Sequence, residues 1–369
     1  MFFSSLQTAS FRNLEDTEIF TGAKDVFLAG ENGQGKSNFL EALYFCAYAS
    51  SFRTARDSEM ARNGEKDFSA QVKLSRTDND QILIKYESGK KSIYINGKRA
   101  EDRRELLSIA PVIVFCHEDM EFVSGSPERR RWFFDQALSL YDPVYLEDLR
   151  RYRRVLKSRN AVLRDFILRR QNNPEPVLDA LDPQFAMYGL KLMEKRQSAA
   201  RDFSSIFASL YEEVSGISGI NADYIQSWKN MDTEEDIIPH LQKRRTAEMA
   251  AGLSLSGPHR DRYFFSHNGR TNVDFTVKAS TGQRRLLALL LRTAQASRFS
   301  AMTGQRPVLL LDDVLLEMDG EKRRRFLSVL PGYDQAIYTF LSDEPYQRYQ
   351  KEDTLVYSVI NGQLSGKSR

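Results

Sequence analysis

Apolar and polar positions alternate with period two near the start of the chain. This predicts strands over Phe2–Ala9 and Leu14–Phe20, followed by a fully apolar buried strand, Val26–Ala29. The period then lengthens to that of a helix from Asn38 to Ala49. Alternation returns over Phe68–Arg99, broken by turns at Asp78-Asn79-Asp80, Ser88-Gly89-Lys90 and Asn96-Gly97, which predicts an antiparallel sheet. Pro111–Phe115 reads as a further short buried strand.

From Pro127 to Ala251 helical spacing dominates and strand signals nearly vanish. Leu149, Tyr152, Leu156, Leu163 and Phe166 fall on one face, with arginines opposite. Asn172-Asn173-Pro174-Glu175-Pro176 breaks the pattern, and Phe185–Tyr211 resumes it. Strands are expected again at Tyr263–Ser266 and Thr271–Lys278, joined through His267-Asn268-Gly269-Arg270. A helix (Gly282–Phe299), a buried strand (Val308–Leu311), a helix (Glu321–Leu330) and strands at Ala336–Phe340 and Leu355–Ile360 complete the pattern, the last taken as the final strand. The pattern gives an α/β fold in which 1–126 and 252–369 are two halves of one lobe and 127–251 is an inserted helical lobe.

Where the strand Val26–Ala29 meets its helix stands Gly30-Glu31-Asn32-Gly33-Gln34-Gly35-Lys36-Ser37. This is G-x-x-x-x-G-K-[ST] in the strand–loop–helix setting that the motif requires. Glycines let successive backbone N–H groups curl around phosphate oxygens. Lys36 offers a charge to the β/γ-phosphates, Ser37 a hydroxyl to Mg²⁺, and the helix N-terminus a favourable dipole. The residues therefore predict a nucleoside triphosphate site. Val308–Leu311 ends in Asp312-Asp313, so Asp312 is expected to hold Mg²⁺ with Ser37, and Asp313 to orient or polarise the attacking water. Between the two motifs, Ser280-Thr281-Gly282-Gln283 precedes a helix, as an S-x-G-Q signature does, offering a hydroxyl and amides to a γ-phosphate. The same four residues also read as a plain helix N-cap. The wide spacing between phosphate loop and aspartates requires an ATPase core that flanks a large insertion.

Charge adds little in bulk, since 53 basic residues face 50 acidic ones, a net of +3. Its distribution says more: nine Lys/Arg oppose three Asp/Glu from Glu147 to Arg170, and Arg129–Arg131 and Lys322–Arg325 form shorter clusters. Arg129, Arg130, Arg150, Arg151, Arg154 and Lys157 are the candidate contacts to DNA phosphates. The four histidines lack metal-ligand spacing, which excludes a zinc motif. Cys46 and Cys116 form no CxxC pair, as expected of a protein of the reducing cytoplasm. The N-terminal segment lacks a signal-peptide pattern, and no run reaches the ~18 apolar residues of a membrane span.

Taken in order, these strings make the chain resemble the RecF family of bacterial recombination mediators, within the ABC-type ATPases. Ser10-Phe11-Arg12, Phe52-Arg53-Thr54, His117-Glu118-Asp119-Met120, Gly125 to Asp135, Gly257-Pro258-His259-Arg260-Asp261, Ser280 to Arg284 and Leu309 to Val314 carry the resemblance. It implies an ABC-type P-loop ATPase head with a mixed sheet, an antiparallel β subdomain and a helical lobe. It adds Arg53 and Thr54 to the nucleotide contacts. It further implies an ATP-dependent homodimer, with Ser280 and Gly282 of one copy closing over the nucleotide of the other, DNA binding in that dimer, action with RecO and RecR to load RecA, and a place in the SOS response. Three positions depart from the family pattern. Leu316-Glu317-Met318-Asp319 lacks the usual serine, no switch histidine follows Phe340, leaving Thr339 or Ser342 in its place, and His117 replaces a proline. A transporter ATPase subunit and an SMC-like chromosome-maintenance head are the alternative readings. The strand-rich insert argues against the first and the short helical segment against the second.

Overall fold

The computed structural model describes residues 2–75, 80–102, 104–169, 173–270, 273–315 and 318–366. The chain forms two compact units, one of Met1–Asp119 with Leu291–Arg369 and one of Met120–Leu290. It begins with β1 (Phe3–Ala9), β2 (Glu18–Phe20), β3 (Asp25–Ala29), α1 (Lys36–Tyr48), β4 (Phe68–Leu74), β5 (Gln81–Glu87), β6 (Lys90–Ile95), β7 (Lys98–Arg99), α2 (Arg104–Ile109) and β8 (Val112–Phe115). There follow α3 (Met120–Ser124), α4 (Pro127–Ser139), α5 (Pro143–Ile167), α6 (Glu175–Ser215), β9 (Ile220–Ile225), α7 (Glu234–Ala251), β10 (Arg262–His267), α8 (Phe275–Lys278) and α9 (Thr281–Thr303). The last elements are β11 (Val308–Leu311), α10 (Gly320–Ser328), β12 (Gln335–Phe340), β13 (Leu355–Ile360) and β14 (Gln363–Gly366).

The first unit holds two sheets. One is antiparallel, in the order β2-β1-β4-β5-β6-β7; the other runs β14-β13-β3-β12-β11-β8 and is parallel except for the β13–β14 hairpin. Every residue of β3, β8, β11 and β12 is buried, which explains their mostly apolar sequences, with Asp25, Gln335 and Thr339 as the buried polar exceptions. Helix α1 packs against β1, β4 and β5 as well as β8 and β12, so it is apolar on nearly every side. The order β3-β12-β11 sets the loops after β3 and β11 at the same carboxyl edge, one strand apart. That is where open parallel sheets bind ligands.

The second unit is mostly helical, with Leu149, Tyr152, Phe185, Leu192 and Trp228 in its core. Three features differ from the sequence expectation. β9 lies inside the stretch read as helical, and it pairs with β10 in register Tyr224↔Tyr263. That pairing ties residues 262–267 to the second unit, Met120–Leu290. In place of a strand ending at Lys278, Phe275–Lys278 is one helical turn, capped by Asp274, whose carboxylate accepts from the Thr276 amide; Thr271 and Asn272 lie outside the described residues. Finally, β13 is not the last strand. Asn361 and Gly362 take φ of 49° and 84°, a tight turn that folds β14 back on it. The Asp78-Asn79 turn and Leu316-Glu317 also lie outside the described residues.

Candidate nucleotide site

The loop between β3 and α1 is shaped by its glycines and fastened from three sides. Gly33 and Gly35 have φ of 78° and 115°, a region that side-chain-bearing residues seldom enter. A Cβ on Gly30 would stand 2.4 Å from the Val359 carbonyl oxygen. Glu31, Asn32 and Gly33 are exposed, whereas Gly35 and Lys36 are buried. Lys36 Nζ donates to the carbonyl oxygens of Gly30 at 2.7 Å and Glu31 at 3.0 Å, so its charge sits inside the curl of the loop. Gln34 is clasped by the β13–β14 turn: its carbonyl accepts from Gly362 N and its Oε1 from Asn361 N, both at 2.7 Å. Gly362 admits no side chain, because a Cβ there would lie 1.8 Å from Asn13 O. Gly362→Ala is therefore expected to lower thermal stability by at least about 2 kcal/mol and to weaken ATP binding. Unaltered melting and nucleotide titration would show the turn to be dispensable.

One strand away, the chain leaves β11 at Asp312, whose backbone N–H donates to Phe115 O at 2.8 Å. Ser37 Oγ donates to Asp312 Oδ1 at 2.7 Å, bringing the two motifs into direct contact. The Asp312 carboxyl is raised to about 6, chiefly by burial, with the Ser37 bond opposing the rise and the charge of Asp313 adding to it. A hydroxyl and a carboxylate form a hard oxygen pair that fits Mg²⁺, which binds through one or two carboxylates, phosphate oxygens and water. Asp313 has φ of 51°, a strained conformation for a residue with a side chain. Thr339, from β12, holds it there: its Oγ1 accepts from Asp313 N and donates to Asp313 Oδ1, each at 2.7 Å. Of the two residues expected to stand in for the switch histidine, Thr339 is the one at the aspartates.

Arg53 reaches the start of α1, where Nη1 donates to Asn38 Oδ1 at 2.7 Å and lies 3.6 Å from Glu41 Oε2. Thr54 turns away, its hydroxyl donating to Glu59. Glu41 is fully buried and also receives Arg12 through two bonds of 2.9 and 3.0 Å. Behind β8, Asp119 accepts Arg292 Nε and Nη2 at 3.0 and 2.8 Å and Cys116 N at 3.0 Å, fixing the loop that exposes Glu118. In the second unit, Ser280 and Gln283 form a reciprocal cap at the start of α9. Ser280 Oγ accepts from Gln283 N at 3.2 Å, and Gln283 Oε1 from Ser280 N at 2.8 Å. Gly282 faces open space.

Comparison with known proteins places this geometry. The family model described as the RecF/RecN/SMC N terminal domain matches residues 2–361. The DNA replication and repair protein RecF of Treponema pallidum is 44% identical over 357 residues, covering 96% of this chain and 98% of that protein. The chain belongs to the RecF family. RecF of Clostridium perfringens is 33% identical, with 99% of each chain covered. The solved structure of the recombination mediator RecF with ATP, 26% identical, superposes with a TM-score of 0.86 over 99% of both chains. An SMC head bound to the C-winged helix domain of ScpA shares the fold at a TM-score of 0.56.

Within this RecF-family chain, the Gly257–Asp261 string forms a buried corner of the second unit. Gly257 has φ of 127°, and a Cβ there would stand 2.8 Å from Tyr152 OH. Asp261 accepts from Ser227 N at 2.8 Å and Arg196 Nη1 at 2.9 Å. The His259 ring bridges Tyr152 OH (2.8 Å) and Ser254 O (3.0 Å), and burial lowers its pKa to about 4. An unfolded chain binds this proton below about 6.5 while the folded one does not. Stability should therefore fall as pH drops from 6.5 toward 4, by up to about 3 kcal/mol. His259→Gln should flatten denaturant-measured stability between pH 6.5 and 5; an unchanged slope would remove His259 as its source.

The predicted DNA contacts divide. Arg154 and Lys157 are exposed, Arg150 is half-buried, Arg129 pairs with Glu121 at 3.1 Å, and Arg151 with Glu147 at 2.9 Å. Arg130 is not a surface cation. Its guanidinium ties Val123 O (2.6 Å), Tyr263 O (3.1 Å) and Asp274 within the unit. Arg159 is likewise buried, between Asp182 and Glu248.

Proposed function

We propose that this chain is an ATP-dependent DNA-binding protein of recombinational repair and replication restart, acting in the cytoplasm. The carrying observation is the 2.7 Å contact between Ser37 and Asp312, which joins the phosphate loop to the acidic end of β11. Relatives named DNA replication and repair protein RecF, and a solved neighbour described as RecF with ATP in the RecFOR pathway, support the assignment.

In this reading the amides of Gly30–Ser37 cradle the triphosphate and Lys36 neutralises its β/γ end. Ser37 and Asp312 would hold Mg²⁺, which when bound supplies charge neutralisation on the phosphates. Asp313, fixed by Thr339, orients the attacking water, and Arg53 stands at the rim of the loop. Ser280, Gly282 and Gln283 offer an exposed helix start to the nucleotide of a second copy, so ATP drives a homodimer. That dimer binds single-stranded or gapped DNA phosphates through Arg129, Arg150, Arg151, Arg154 and Lys157, without reading bases. It works with RecO and RecR to support RecA loading, within the SOS response, and hydrolysis releases it.

Sedimentation of the protein with ATP or ADP, with and without gapped DNA, tests the reading. A dimer with ATP that binds DNA, and a monomer with ADP that does not, are expected. Nucleotide-independent mass and DNA affinity would overturn it.

A further inference from the structure

Three depressions on the second unit are linked in a row by shared lining residues, and we treat them as one track. The first, of about 370 Å³, is lined by Arg153, Lys157 and Arg164 of α5. The second, about 430 Å³, shares Asn160 and Arg164 with it and ends at Arg260. The third, about 480 Å³, shares Arg260 and adds Arg244 and Arg262. No carboxylate lines any of the three. Arg153 lies 3.3 Å from Asp135, but Lys157, Arg164, Arg244, Arg260 and Arg262 form no ion pair among the described residues. A run of cations without a matching acid repels itself, and an anionic partner relieves that repulsion.

The walls of the track narrow the choice of partner. Ile167, Leu168 and Ile225 are 48%, 51% and 44% exposed, and each lines one of the depressions. A phosphate backbone gains nothing from exposed aliphatic side chains, and no Phe, Tyr or Trp lines the track for a base to stack on. An acidic peptide with apolar side chains satisfies both: its carboxylates meet the guanidinium groups while its apolar side chains cover Ile167, Leu168 and Ile225. We infer that this track is a docking site for an extended acidic segment of a protein partner, with apolar residues interspersed among its carboxylates. The track shares no residue with the nucleotide site, and of the cations assigned above to DNA it contains only Lys157.

Fluorescence anisotropy with the full chain tests this, using a dye-labelled dodecapeptide of alternating aspartate and leucine and, as control, one of aspartate and serine. The Asp–Leu peptide should bind saturably, and the Asp–Ser peptide about ten-fold more weakly or worse. The double variant Arg164→Glu/Arg260→Glu should weaken Asp–Leu binding by about ten-fold or more while changing affinity for gapped DNA with ATP by less than about two-fold. Should that variant melt early, Arg244→Glu/Arg262→Glu, further along the track, carries the same expectation. The inference fails if the Asp–Leu peptide does not bind or if the Asp–Ser peptide binds equally well. It fails too if DNA affinity drops in step with peptide affinity, which would make the track a nucleic-acid face.

Discussion

Replacing Lys36 with alanine is expected to abolish ATP binding at micromolar nucleotide and, with it, the ATP-dependent dimer. Lys36 Nζ is buried and held by the Gly30 and Glu31 carbonyls, so the charge already stands where the phosphates must lie. Removing a charge from a desolvated ion pair costs about 2–5 kcal/mol, and one decade of affinity corresponds to about 1.4 kcal/mol. A loss of about 100-fold is the expected scale, read by nucleotide titration and by sedimentation with ATP. The methylene stem also packs in the loop, so Lys36→Met is the cleaner control. It keeps the stem and should lose affinity to the same degree. If either variant binds ATP and dimerises like the parent chain, the loop does not gate assembly.

Asp313→Asn separates binding from turnover. Its amide oxygen can still accept from Thr339 Oγ1, so the clasp and the left-handed backbone at 313 should survive. What is lost is the negative charge that the proposed mechanism assigns to orienting or polarising water. Loss of a general base typically costs a factor of about 10² to 10⁴ in rate. Phosphate release should therefore fall by about 100-fold or more while ATP affinity shifts by less than about three-fold, leaving the dimer to accumulate. Prompt turnover at the parent rate would take Asp313 out of the reaction.

The nucleotide loop, the aspartates and the central strands were legible because each is a local pattern: a glycine spacing, or four apolar residues that must be buried on both faces. What escaped depends on pairing across long separations. β9 hides in a helical stretch because six residues, Ile220–Ile225, alternate too briefly to outweigh their surroundings, and only β10 makes them a strand. Arg130 reads as one of three adjacent surface arginines, yet helical geometry points each of the three differently, and the middle one meets Asp274. Glu41 reads as one acid in a helix, and nothing near it in sequence announces that it is wholly buried and joined to Arg12 and Arg53. The β13–β14 turn is different. Asn361-Gly362 is the strongest short hairpin signal available, and it stood in the sequence to be read.

That turn has a consequence for how the protein comes into being. The phosphate loop, residues 30–37, leaves the ribosome well before the two amides that clasp Gln34, which belong to Asn361 and Gly362. A nascent chain thus carries this loop without its clasp until Asn361 and Gly362 have been joined. The clasp is a long-range contact, and a chain stopped short of Asn361 lacks both of its amides.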